Sequence, residues 1–465
     1  MTQKMETPLS CDLSRDMEWI SHRFGELPHT VCILTFGCQQ NEADSEKLRG
    51  MAHEMGYTDV EDPADADLVL LNTCAIREHA EQKVLSYLGR LKEFRAQRPS
   101  LIVGVCGCMT AQPHRVKQIR ERYPQVSFTL DPASLDRFPE TLRRVMDDGR
   151  REFVVGEENP SITEGLPTCR TLRHRAWVSI MYGCNNFCSY CIVPYVRGRE
   201  RSRQSAEILA EVEGLVASGC RDITLLGQNV NSYRGDCDFA TLLDRLAALP
   251  GDFLLRFMTS HPKDVPDALI EVMAKHPGRI APQFHLPLQS GSNAILSRMN
   301  RKYTRESYLE TVAKLRRAIP DIVLSTDIII GFPGETDEDF AATMEVVREV
   351  RYDMIYSFLY SPRRGTPAAT MPGAVPPEVR KVRMAELLDT QNRIALELAE
   401  PYVGREVRVL ADSLGKEEGF LTGRTSGGRL VHFRGEADLI GEFVPVKIDR
   451  AEPYALRGTA VLNKN

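Results

Sequence analysis

Apolar and polar positions fall into three successive patterns along the chain. From Val31, short apolar runs alternate with amphipathic stretches. VCILTFG (31–37), DLVLLNT (67–73) and SLIVGVCG (100–107) read as buried parallel strands. Residues 41–56, 77–96, 111–122 and 134–147 read as helices. This alternation predicts a doubly wound parallel α/β domain over 29–147. Residues 148–174 are charged, contain two prolines and predict a linker. A second alternation begins with AWVSIMY (176–182). It continues through DITLLG (222–227), FLLRFMT (253–259), QFHLPLQ (283–289), IVLSTDIII (322–330) and MIYSFLY (354–360), and 376–399 closes it as a helix. Six βα units predict a partial (β/α)6 barrel over 175–400, with its working loops at the carboxyl ends of the strands. In 401–464 the period shortens. REVRVLAD, GFLTGRTS, LVHFRG and EFVPVKIDRAE read as short strands with glycine-rich turns, predicting a small antiparallel β-barrel.

Composition sharpens this. A chain of 465 residues has room for about three domains, and 42% hydrophobic with 26% charged residues excludes global disorder. The net charge of −5 excludes a protein basic throughout. A local basic run remains: residues 170–203 hold seven arginines (170, 173, 175, 197, 199, 201, 203) against one acid, Glu200. That run predicts phosphate contacts to RNA; the competing reading is salt bridges to the acidic first domain, for instance to 59–67. No apolar run is long enough to span a membrane. The first 30 residues suit neither a signal peptide nor a transit peptide. The expected location is a reducing cytoplasm, where disulfides are rare. Twelve cysteines then require burial, metal or catalysis as their explanation.

Three of them lie within eight residues. Cys184, Cys188 and Cys191 form C-x3-C-x2-C in the loop after the first barrel strand. A structural zinc site needs four protein ligands, and no local fourth Cys or His is present. A four-iron cluster on three thiolates leaves one iron open to a substrate or cofactor. Zinc with a remote fourth ligand and three merely packed cysteines are the competing readings. A second trio is dispersed. Cys38, Cys74 and Cys108 each follow a strand of the first domain, 36 and 34 residues apart. Three adjacent strand ends of an open parallel sheet can bring them to one point, or they can be small buried cysteines. Cys106 competes with Cys108: two residues apart on a strand, both would share a face. Cys108 is preferred because it lies at the strand's end. Cys11, Cys32, Cys169, Cys220 and Cys237 show no partner pattern and read as structural.

CxxxCxxC after the first strand of a partial barrel resembles the radical S-adenosylmethionine (SAM) enzymes. With a three-cysteine α/β domain before it and a small barrel after it, residues 29–462 resemble the methylthiotransferases, and the terminal barrel is similar to the TRAM domain. NTCAIREHAEQKV (72–84), CIVPYVRGRERSR (191–203), TLLGQNVNSY (224–233), HLPLQSGS (285–292), STDIIIGFPGET (325–336) and LIGEFVPVKI (439–448) carry the likeness. Gln40, where Met is usual, and the extra Cys106 depart from it.

The resemblance implies two [4Fe-4S] clusters. One sits on Cys184, Cys188 and Cys191, the catalytic trio, with SAM on its open iron; an auxiliary cluster sits on Cys38, Cys74 and Cys108. It implies methylthiolation at C2 of N6-isopentenyladenosine, position 37 of tRNA, with SAM as both methyl donor and source of a 5′-deoxyadenosyl radical. Tyr190, Arg203, Gln228, Asn229, His285, Gln289 and Asp327 are the implied SAM neighbours, each equally readable as a satisfied structural polar group. The implied partners are the tRNA anticodon stem-loop, SAM and an electron donor such as flavodoxin or ferredoxin. A monomer with no membrane contact is expected. Threonylcarbamoyl-adenosine in tRNA or a ribosomal protein is the alternative substrate. A non-enzymatic iron–sulfur protein is the rival from another class, disfavoured because electron-transfer clusters usually have four protein ligands.

Overall fold

The structure, a computed structural model, describes residues 11–24, 29–75, 78–156 and 161–461. Ile76 and Arg77 of the 72–84 segment lie outside the described residues, as do 157–160 of the predicted linker. The chain divides into two compact bodies. The first holds residues 1–171, 181–185 and 192–203; the second holds 172–180, 186–191 and 204–465.

In the first body the elements run α1 (Cys11–Phe24), β1 (His29–Phe36), α2 (Gln39–Glu54), β2 (Tyr57–Asp59), β3 (Leu68–Thr73), α3 (Glu78–Gln97), β4 (Ile102–Gly107), α4 (Pro113–Arg122), β5 (Phe128–Leu130), α5 (Phe138–Asp148) and β6 (Glu152–Phe153). Six parallel strands form one sheet in the order β2-β1-β3-β4-β5-β6. β3 is buried at every position because helices cover both faces. Ile20 of α1, Leu48 and Met51 of α2, and Phe138 and Leu142 of α5 pack on one side. Val84, Leu88 and Leu91 of α3 and Ile119 of α4 pack on the other. Each such fully buried side chain contributes about 1.5–3 kcal/mol of transfer free energy. The doubly wound domain is therefore as expected. The sequence pattern missed β2, β5 and β6, whose two or three residues carry no readable period. β6 extends the sheet into the stretch read as a linker.

After β7 (Arg175–Ser179), which belongs to the second body, β8 (Met181–Tyr182) and β9 (Arg201–Ser202) pair antiparallel in the first, with the short helix α6 (Val193–Val196) between them. The second body continues with α7 (Ser205–Ala217), β10 (Asp222–Leu226), α8 (Phe239–Ala247), β11 (Leu254–Phe257), α9 (Asp267–Lys275), β12 (Gln283–His285), α10 (Asn293–Arg298), α11 (Arg305–Ala318), β13 (Val323–Ile330), α12 (Asp337–Val350), β14 (Met354–Leu359) and α13 (Pro377–Ala399). β7, β10 and β11 form one parallel sheet, and β12, β13 and β14 another. The Leu255 N–H to Arg279 carbonyl and Ala281 N–H to Leu255 carbonyl bonds, both 2.8 Å, link β11 toward β12. The six strands thus follow chain order, as a partial barrel requires.

β15 (Glu406–Leu414), β16 (Phe420–Thr425), β17 (Leu430–Arg434), β18 (Phe443–Ala451) and β19 (Ala455–Ala460) close a five-stranded barrel in the order β15-β16-β17-β19-β18. The sequence reading had it wholly antiparallel. One pair, β17–β19, is parallel: β18 closes the barrel against β15, so β19 can only return between β18 and β17. Arg256 of β11 anchors this barrel to the core. It bonds Asp222 (2.9 Å) and the carbonyls of Thr425 (3.1 Å) and Ser426 (2.8 Å). Among the described residues no helix is long and apolar enough to cross a membrane.

Gly107 separates the two competing cysteines. Its φ of 95° ends β4 and turns the chain into a single 3-10 turn, Cys108–Ala111. Cys106 and Cys108 therefore do not share a face, contrary to the strand argument. Cys106 lies in the apolar layer with Phe128 and Leu130, whereas Cys108 packs with Ala75, Ile192 and Val196. A Cβ on residue 107 would collide with Asn72 Oδ1 and the Thr73 carbonyl. Gly107→Ala is expected to cost at least about 1–3 kcal/mol, read as a lower urea midpoint.

Candidate functional site

Cys38, Cys74 and Cys108 follow the carboxyl ends of β1, β3 and β4, which are adjacent in the sheet. Buried amides fix their turns. Cys38 caps α2, and its N–H donates to Asn41 Oδ1 at 3.3 Å. Asn41 Nδ2 donates to Asn72 Oδ1 (3.1 Å) and to the Thr73 carbonyl (3.3 Å). Asn72 Nδ2 donates in return to the Asn41 carbonyl and Ser45 Oγ, both 2.9 Å. The Cys74 N–H meets the Phe36 carbonyl at 3.0 Å. The asparagines of GCQQN and LNTC thus tie the first two cysteine turns together, a role that sequence reasoning missed.

The thiols respond to this setting. A hydrogen bond from Cys74 lowers Cys38 to about 6 against the cost of burial, with help from Arg197 and the Asn41 and Gln40 backbone. Burial pushes Cys108 up, while Arg197 opposes it. Arg197 Nε donates to Cys108 Sγ at 3.2 Å, and its Nη2 reaches Asp44 at 2.8 Å. Cys106 is pushed up to about 12 by burial and then by Asp44, the behaviour of an inert core thiol. Cys38, bonded to Cys74 and within electrostatic reach of Cys108 and the buried Arg197, offers a setting that suits an anionic iron–sulfur group.

In the second trio Cys184 is held from its own body. Its N–H donates to the Gly198 carbonyl at 3.1 Å, and Asn185 exchanges bonds with Glu200. In the second body the segment carrying Cys188 and Cys191 is pinned by 298–300. The Ser189 N–H meets the Met299 carbonyl (2.9 Å), Ser189 Oγ the Arg298 carbonyl (2.8 Å), and Asn300 Nδ2 the carbonyl of Phe187 (2.9 Å), whose φ is 47°. Arg301 is buried beside it. It donates to Cys188 Sγ (3.4 Å), Tyr303 Oη (3.1 Å) and the Pro287 carbonyl (3.0 Å). No carboxylate is among its partners in the described residues, so an anionic sulfur group at Cys188 suits it. Among the described residues no group of three or more Cys, His, Asp or Glu side chains is already drawn together as metal ligands.

The family models describe the same three parts: "Uncharacterized protein family UPF0004" matches residues 30–131, the "Radical SAM superfamily" 178–347 and the "TRAM domain" 400–461. The tRNA-2-methylthio-N(6)-dimethylallyladenosine synthase of Acetivibrio thermocellus is 48% identical over 92% of this chain and 90% of its own. Its counterparts in Alkaliphilus oremlandii and Clostridium perfringens are 47% and 46% identical, covering 92% of this chain and 92% and 97% of theirs. The chain belongs to the MiaB branch of the radical SAM methylthiotransferases. Among solved structures, the radical SAM methyltransferase TsrM of Kitasatospora setae, with cobalamin and a [4Fe-4S] cluster bound, shares the fold. Its TM-score is 0.54 at 14% identity, over 85% of this chain and 81% of that one. The cobalamin-dependent radical SAM enzyme OxsB gives 0.53 at 12%, over 80% and 57%.

For a radical SAM enzyme, the polar residues around the barrel are the next question. His285, Asp327 and Gln289 come together on β12, β13 and the loop between them. His285 Nδ1 is 3.0 Å from Ser325 Oγ, its Nε2 3.6 Å from Asp327, and the Gln289 N–H meets the Asp327 carbonyl at 2.8 Å. Gln289 holds a left-handed φ of 67°. Tyr190 packs edge-on to Phe332, centroids 6.5 Å apart. Gln228 follows β10 and is half-buried. Asn229 is a structural tie, donating to Asp264 (2.7 Å) and accepting from the His261 N–H (3.0 Å). Arg203 lies in the first body, where Glu164 grips its guanidinium at 2.7–2.9 Å.

The basic run is partly paired with acids, as its competing reading expected. Arg170 pairs with Glu46 (2.8 Å), Arg175 with Asp412 (3.3 Å), Arg197 with Asp44 (2.8 Å) and Arg203 with Glu164 (2.7 Å). Four of its seven arginines are thus neutralised locally, three of them by acids of the first body. The arginines of the small barrel divide. Arg434 is exposed, while Arg424 and Arg457 are half-buried and face Asp412 and the pair Glu417 and Glu452.

Asn41→Ala leaves Asn72 Oδ1 and the Thr73 carbonyl short of a buried donor and is expected to destabilise by about 1–3 kcal/mol in urea denaturation. His261 is held down to about 2 by burial, then by Arg301 and Lys263. Its folded value lies below the unfolded one of about 6.5, so the unfolded state alone takes a proton as pH falls below that value. Stability is therefore full above about 6.5 and declines beneath it. A denaturation series from pH 8 to 4 is expected to show a shallower decline for His261→Asn than for wild type.

Proposed function

We propose that the chain methylthiolates C2 of N6-isopentenyladenosine at position 37 of tRNA, giving 2-methylthio-N6-isopentenyladenosine. The observation that carries this is 46–48% identity, over 92% of the chain, to enzymes named for that product. The domains are 29–147 for the auxiliary cluster, 175–400 for the radical SAM core and 401–464 for the RNA-binding TRAM barrel. Cys184, Cys188 and Cys191 would hold one [4Fe-4S] cluster, and Cys38, Cys74 and Cys108 the other. The contact of Cys108 with Arg197 and the apolar burial of Cys106 support that choice. When bound, the clusters and SAM supply abstraction of an unactivated hydrogen and delivery of a methylated sulfur.

The chain's own residues supply position and exclusion. Arg301 and Asn300 hold the Cys188 segment in one conformation, so SAM meets a preformed site. Tyr190 and Phe332 give that site an apolar wall against water. His285, Gln289 and Asp327 offer hydrogen-bonding groups to SAM where the barrel strands end. Exposed Arg434 is one cation through which the barrel meets RNA phosphate. A flavodoxin or ferredoxin delivers the electrons to a cytoplasmic monomer.

Mass spectrometry of tRNA nucleosides from a deletion strain should show loss of 2-methylthio-N6-isopentenyladenosine and accumulation of its unthiolated precursor. Persistence of the modified nucleoside, or loss of a methylthiolated threonylcarbamoyl-adenosine or ribosomal-protein residue instead, would refute the assignment. In reconstituted protein, Cys184→Ala should abolish SAM cleavage and lose about half of the iron, as one of two clusters. Cys108→Ala should lose the other half, and Cys106→Ala should retain both.

A further inference from the structure

The proposed reaction gives no role to the carboxylate of the most deeply buried ion pair among the described residues of the first body. Arg197 and Asp44 have side chains only 5% and 6% exposed. Arg197 is shared between two acceptors: Nε donates to Cys108 Sγ at 3.2 Å, and Nη2 donates to Asp44 Oδ2 at 2.8 Å. The other carboxylate oxygen accepts from Gln40 Nε2 at 3.2 Å. Gln40 and Asp44 stand one turn apart on α2, whose N-cap is Cys38. A polar chain, Gln40–Asp44–Arg197–Cys108, therefore runs through the interior of the site. The buried arginine touching the other trio differs. Arg301 donates to Cys188 Sγ, but its remaining partners are a phenol and a carbonyl.

The difference has an electrostatic meaning. A cation beside an iron–sulfur group, and an N–H donated to its sulfur, both favour the reduced, more negative state. A carboxylate on the same guanidinium opposes that effect, and in a buried setting neither charge is screened by salt. Burying such a pair is costly to stability, so its persistence calls for another use.

Resting on the assignment of Cys38, Cys74 and Cys108 as cluster ligands, we infer that Arg197 and Asp44 are opposed positioning residues that set the reduction potential of the auxiliary cluster. Arg197 fixes the Cys108 sulfur and raises the potential. Asp44, oriented by Gln40, holds it down. Arg301, with no carboxylate partner among the described residues, leaves the cluster at Cys188 without this restraint.

The test uses the full-length chain with Cys184, Cys188 and Cys191 changed to alanine, reconstituted with iron and sulfide, so that one cluster remains. Its midpoint potential is read by electron paramagnetic resonance during a redox titration. Asp44→Asn should raise the potential and Arg197→Gln should lower it. Each shift should reach at least tenfold in the one-electron reduction equilibrium, about 59 mV. The double variant should return to within about threefold of the parent, since the two charges vanish together. If Arg197→Gln fails to fold, as judged by circular dichroism, Arg197→Lys keeps the charge but loses the fork and should still shift downward. A parent protein without iron would overturn the ligand assignment and this inference with it. A parent with a cluster whose potential is unmoved, or moved the same way by both substitutions, would overturn the inference alone.

Discussion

Three neighbouring strands of one parallel sheet end at the same edge, and the first cysteine site depends on that constraint. β1, β3 and β4 each deliver one cysteine just past their carboxyl ends. Parallel strands leave backbone groups unpaired there, and those groups must be satisfied in a buried place. The Asn41–Asn72–Ser45 network does this. It also locks the spacing of the Cys38 and Cys74 turns, so satisfying the backbone and positioning the thiols are one structural act. The third turn is set differently, by the left-handed Gly107, which puts Cys106 and Cys108 in different layers.

Buried cations form the second layer. Each trio has one arginine hydrogen-bonded to a cysteine sulfur, Arg197 in the first body and Arg301 in the second. Elsewhere in the fold, buried arginines serve as struts. Arg383 grips Glu335 (2.9 Å) and Asp337 (2.7 Å), and Arg256 grips Asp222. The contrast is chemical: a strut arginine spends its donors on carboxylates and carbonyls, whereas Arg197 and Arg301 each spend one on sulfur.

Much of this was legible in the sequence, and the reasons for what was not are physical. The long strands and helices announce themselves because apolar positions repeat over many residues. β2, β5 and β6 do not, being two or three residues long, and β19 was lost because its glycine and exposed positions dilute the alternation. The C-x3-C-x2-C trio was visible as spacing. The dispersed trio was visible as one cysteine per βα unit, with Cys108 preferred for its place at the strand's end, but the φ of Gly107, which puts Cys106 in another layer, composition does not encode. The roles of Asp44, Arg197 and Arg301 were invisible because their partners lie 153 and 113 residues away. The basic run was read both as an RNA contact and as salt bridges to the first domain; which acids take its arginines (Glu46, Asp44, Glu164 and Asp412) a linear count does not tell.

The Arg256 anchor carries a consequence for how the second body comes apart. Its guanidinium joins Asp222 of β10, Gln283 of β12 and two carbonyls at the end of β16, all within one desolvated junction. Separating the small barrel would leave the Arg256–Asp222 pair in the core but break the guanidinium's bonds to the Thr425 and Ser426 carbonyls, so loosening one part costs the other buried hydrogen bonds. Core and barrel are thereby coupled, and the small barrel is a keystone of the core's stability rather than a detachable appendage.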